Sequence, residues 1–65
     1  MSTFLERLIE EETELSIKCN KLSDFIAGDA FKNIPEIEQV DLREQFEHML
    51  DYRNVLLRRI DSNSK

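Results

Sequence analysis

Gly28 and Pro35 are the only glycine and the only proline in the chain, and both stand near its middle. On either side of them nothing breaks a helix, and no run of Val, Ile and Thr favours a strand. The chain is thereby confined to two helical stretches joined by a short connection. Its 65 residues make one domain, 35% of them charged, and two helices packed only on each other bury too little apolar surface to be comfortably stable. The reading is all-α: an antiparallel two-helix hairpin with a short helical turn in the connection, assembling as a homo-oligomer.

The first helix is predicted over about residues 4–27. Thr3 precedes it and Glu6 follows three residues later, the spacing of a capping box. Leu5, Leu8, Leu15, Cys19, Leu22 and Ile26 then form one stripe at spacings of three and four, with Glu12 filling the missing slot. Gly28 is expected just past the helix end in a left-handed conformation, and Asp29 is expected to cap a short turn over residues 30–33. Phe31 and Ile34 would fold over the end of the hairpin. Pro35 suits the first turn of a second helix over about residues 35–61, with an irregularity near Val40 and Asp41, where Asp41 and Glu44 offer another capping box. The closing "DSNSK" reads as a frayed end.

In the second helix Leu42, Phe46, Met49, Leu56 and Ile60 repeat the stripe, and Leu50 and Leu57 widen it. Here the missing slot is Arg53. An antiparallel register that sets Leu5 against Ile60, Leu8 against Leu57, Leu15 against Leu50 and Cys19 against Phe46 also sets Glu12 against Arg53. The flanking charges favour that orientation, with glutamates of the first helix beside Arg58 and Arg59, and Lys18 and Lys21 beside Glu47 and Glu44. Two readings of the pair stay open: it fixes register, or Arg53, held by an acidic neighbour, presents spare donors to a phosphate or carboxylate in a pocket between subunits.

His48 shares a helix face with Gln45, Tyr52, Val55 and Arg59. An aromatic ring, an imidazole and an arginine in one row can stack on a base and hold its phosphate; an exposed polar face or an oligomer interface has the same pattern. The candidate ligand-binding residues are therefore Arg53, Tyr52, Arg59 and His48. Cys19 belongs to the stripe as a small core residue, and a single cysteine forms no internal disulfide. No glycine-rich phosphate loop, Ser/His/Asp arrangement or Cys/His zinc spacing is present, so no enzymatic activity, cofactor or metal is expected. A formal charge of −5 argues against general nucleic-acid or anionic-membrane binding. No apolar run is long enough for a membrane span and no export signal is evident, so a cytoplasmic protein is expected. Phe4, Ile9, Ile17, Phe25 and Phe31 lie off the stripe or at the connection, which again argues for a second covered surface and a homo-oligomer.

Over nearly its whole length the chain resembles short helical proteins carried by tailed and crAss-like bacteriophages. The resemblance rests on the opening "F-x-x-R-L-x-x-E", on "KLSDFI", on the segment from Phe31 to Gln39, and on the closing "Q-F-E-x-M-x-x-Y-x-x-V-L-x-x-R-I". In size and hairpin build it is also similar to phage anti-defence sponges, symmetric oligomers that trap the nucleotide signals of systems such as CBASS and Thoeris. The resemblance implies a non-enzymatic sponge for a cyclic nucleotide or an ADP-ribose-type signal, acting in the host bacterial cytoplasm. The alternative, from a different class, is a small acidic helical module that inhibits or adapts a host protein.

Overall fold

A computed structural model describes residues 3–64; Met1, Ser2 and Lys65, the last residue of the predicted frayed end, lie outside them. Two helices fold back on each other as a hairpin: α1 over Phe4–Ala27 and α2 over Glu36–Asn63, with a 3-10 turn over Asp29–Asn33 between them. No strand occurs among the described residues.

The capping box forms as the sequence implies. Glu6 N–H donates to Thr3 Oγ1 at 3.1 Å, and Thr3 N–H donates back to Glu6 Oε2 at 3.3 Å, satisfying two donors at the start of α1. At its other end α1 stops differently from expectation. Gly28 has φ −88° and ψ 169° and donates its N–H to the Phe25 carbonyl, so the chain leaves the helix extended and not through a left-handed residue. Asp29 caps nothing: it is the first residue of the 3-10 turn, which has no side-chain cap. What fixes the connection is Phe31, 2% exposed, whose ring meets Phe25 edge-on at 6.0 Å between centroids.

Pro35 stands one position outside α2, as its N-cap, and accepts from the Gln39 N–H at 3.1 Å. The Gln39 side chain adds a donor to the Ile34 carbonyl at 3.0 Å. From there α2 runs without a break through Val40 and Asp41. An interruption would leave backbone donors unpaired, whereas the continuous helix keeps Leu42 and Phe46 in phase with the residues beyond. Its C-terminal end lies at Asn63, past the predicted end near 61, with Ser64 as cap.

The core is the seam between α1 and α2. Leu8, Leu15, Cys19 and Leu56 are buried, with Phe46, Met49, Leu50 and Ile60 packed against them. Leu57 does not share the centre as the register expected; it is 41% exposed, while Leu56 is 0% exposed. The reason is angular: Arg53, Leu56 and Ile60 follow each other at steps of three and four, and one residue further on the side chain has turned by about 100°.

Candidate ligand-binding site

Arg53 is placed on the seam by the same spacing that buries Leu56, and it meets Glu12 of α1. Its Nε lies 3.4 Å from Glu12 Oε1, with the two side chains 40% and 17% exposed respectively. Ser16, one turn along α1, donates its hydroxyl to the same oxygen at 2.7 Å. Glu12 is thus held from its own helix and from α2 together. Among the described residues Arg53 is bonded only to Glu12, through Nε, which leaves both terminal amino groups unpartnered on a half-exposed side chain. An arginine whose plane is anchored at one nitrogen and open at the other two is suited to an oxyanion.

The other candidates lie elsewhere on the same helix. Tyr52 is 46% exposed, and the His48 side chain, 73% exposed, stands 3.6 Å from Glu44, beyond hydrogen-bond distance. The guanidinium of Arg59 reaches across to α1 and lies over the Phe4 ring, 5.7 Å from its centroid. Tyr52, His48 and Arg59 form an exposed row on the outward flank of α2, from which Arg59 bends back to Phe4, whereas Arg53 sits in the seam itself. The structure divides the four candidates between a seam position and a solvent-facing row.

Two participants were not identified from the sequence. Ser16 follows Glu12 by one helical turn, a spacing that brings side chains into reach but does not say which way a hydroxyl turns. Phe4 under Arg59 follows from the antiparallel register, which brings the start of α1 beside the end of α2. A matching contact closes the other end, where Arg43 lies 5.0 Å from the Phe31 ring centroid. The shallow depression lined by Val40, Arg43, Glu44, Glu47 and His48 is walled by α2 alone, and its two carboxylates disfavour an anion. Among the described residues no group of three His, Cys, Asp or Glu side chains is arranged to hold a metal ion. Among the described residues no helix is long and apolar enough to cross a membrane.

Comparison with protein families matches the chain to the family described as Sequestin, over residues 2–62. The chain belongs to the Sequestin family. No curated protein and no solved structure matches it.

Proposed function

We propose that this Sequestin-family chain is a phage anti-defence protein that sequesters a small nucleotide immune signal, as a homo-oligomeric sponge in the host cytoplasm. The family's name points to sequestration, which is a holding role and not a chemical conversion. The observation that carries the ligand class is Arg53: a guanidinium fixed by Glu12 on the seam, with two terminal nitrogens free for phosphate oxygens. Tyr52 supplies a ring for a base, and Arg59 and His48 supply further polar contacts from the outward row. A pocket between copies joins the two places that a single chain keeps apart. Exposed apolar residues such as Phe4 and Ile37, 59% and 67% exposed, also favour a second reading, an acidic module that docks on a host protein.

Isothermal titration with a panel of cyclic dinucleotides, cyclic trinucleotides and ADP-ribose derivatives separates these. The sponge reading expects saturable heat with at least one of them. It also expects affinity about 10–100-fold weaker in the chain carrying both Glu12→Leu and Arg53→Leu, as suits loss of a charged hydrogen-bond donor. No heat from any compound, together with stoichiometric capture of one host protein, would replace it with the second reading.

A further inference from the structure

The outward row of α2 reads the same in both directions. Asp41, Gln45, His48, Tyr52, Val55 and Arg59 are separated by steps of four, three, four, three and four. This is a second stripe at the spacing of a helix–helix contact, and all six residues are exposed, although Arg59 also reaches Phe4 of α1. Its ends carry opposite charges and its centre carries an imidazole, an aromatic ring and Val55, 39% exposed. We propose that this row is an isologous interface with a second copy of the same chain, α2 packing antiparallel on α2 about a two-fold axis between His48 and Tyr52.

That arrangement sets Asp41 of each copy against Arg59 of the other, Gln45 against Val55, and His48 against Tyr52. A parallel pairing would set Asp41 against Asp41 and Arg59 against Arg59, so the charges select the antiparallel one. Arg59 lies over Phe4, which brings that 59% exposed ring to the edge of the same surface. The accessible surface is 5082 Å², against about 4,300 Å² for a compact monomer of this mass, so a rod this thin has surface to spare for a partner. A standard interface covers about 800 Å² on each partner.

The interface rests on the homo-oligomer part of the function proposed above and sharpens it: Tyr52 and His48 reach the pocket from both copies, so a single chain holds half of it. Association itself requires no ligand.

Sedimentation of the full chain without ligand tests the pairing. Asp41→Arg alone and Arg59→Asp alone each turn two attractive contacts into two repulsive ones, and each is expected to weaken association by about tenfold or more. The chain carrying both D41R and R59D restores opposite charges across the axis and is expected to recover most of that loss. The two positions are about 27 Å apart along α2 at ~1.5 Å per residue, so recovery cannot arise within one chain. The double variant also lacks the Arg59–Phe4 contact, which excludes that contact as the source of recovery. A wild-type chain that stays monomeric overturns both the interface and the oligomeric sponge. A wild-type oligomer without recovery in the double variant overturns the interface and leaves the sponge standing. Recovery in the double variant, together with no heat from the wild-type chain in the nucleotide titration, establishes the interface and removes the ligand.

Discussion

Arg53 occupies a position whose neighbours along the stripe, Met49 and Leu56, are apolar, and its worth depends on how far its partner is from water. Glu12 is the more buried of the two, at 17% exposure against 40%, so removing the cation leaves a sheltered carboxylate with the Ser16 hydroxyl as its remaining donor. Arg53→Leu alone is therefore expected to destabilise the chain by about 1–2 kcal/mol, below the range for fully buried pairs because solvent screens the arginine. Adding Glu12→Leu removes the stranded charge and is expected to return stability to the wild-type level or above it. Urea unfolding of both variants checks this, and a fully stable Arg53→Leu chain would show that Glu12 is not sheltered by the pair. The pairing was legible because each residue interrupts an otherwise apolar stripe and one register aligns the interruptions. The third member, Ser16, was not, since a single half-buried serine in a helix carries no periodic signal.

At the level of elements, the helices were legible and the chain's path between them was not. Capping boxes and stripes are local patterns, and both helices start where such patterns or Pro35 place them. The end of α1 is decided instead by where Phe31 packs, a tertiary matter that glycine statistics do not contain. At Gly28 the observed φ of −88° is open to any residue, and an added Cβ would meet the Asp24 and Phe25 carbonyls at 3.3 and 3.5 Å. The first contact is tight and the second ordinary, which offsets the entropic gain of restricting the unfolded chain. Gly28→Ala is thus expected to change stability by less than about 0.5 kcal/mol, whereas a left-handed glycine would have made the same change cost about 1 kcal/mol. Thermal unfolding followed by circular dichroism distinguishes the two. The continuity of α2 at Asp41 has the same kind of cause, because an Asp and a Glu three residues apart mark a helix start only where the preceding chain is not already helical.

The whole molecule is a rod of 45 × 18 × 15 Å with a radius of gyration of 14.8 Å, against about 11 Å for a compact domain of this length. A rod one helix pair thick has a seam and no interior, which is why its described buried residues come down to Leu8, Leu15, Cys19, Phe31 and Leu56. The need for a second covered surface was legible in the surplus of apolar residues beyond the stripe; which face it occupies was not, because exposure is known only once the helices are paired. If α2 packs on α2 of a second copy, folding and association are one equilibrium, and stability must depend on concentration. For a pair of chains of this length a tenfold rise in concentration adds about 1.4 kcal/mol, and with the usual entropy of unfolding per residue this raises the midpoint by about 5 °C. Calorimetric scans across a hundredfold range are expected to show about twice that displacement, with the midpoint independent of scan rate. In the chain carrying Asp41→Arg alone the midpoint is expected to fall. A wild-type midpoint that does not move with concentration would mean that the seam alone supports the fold, and the outward row of α2 would then have to be covered by something other than this chain.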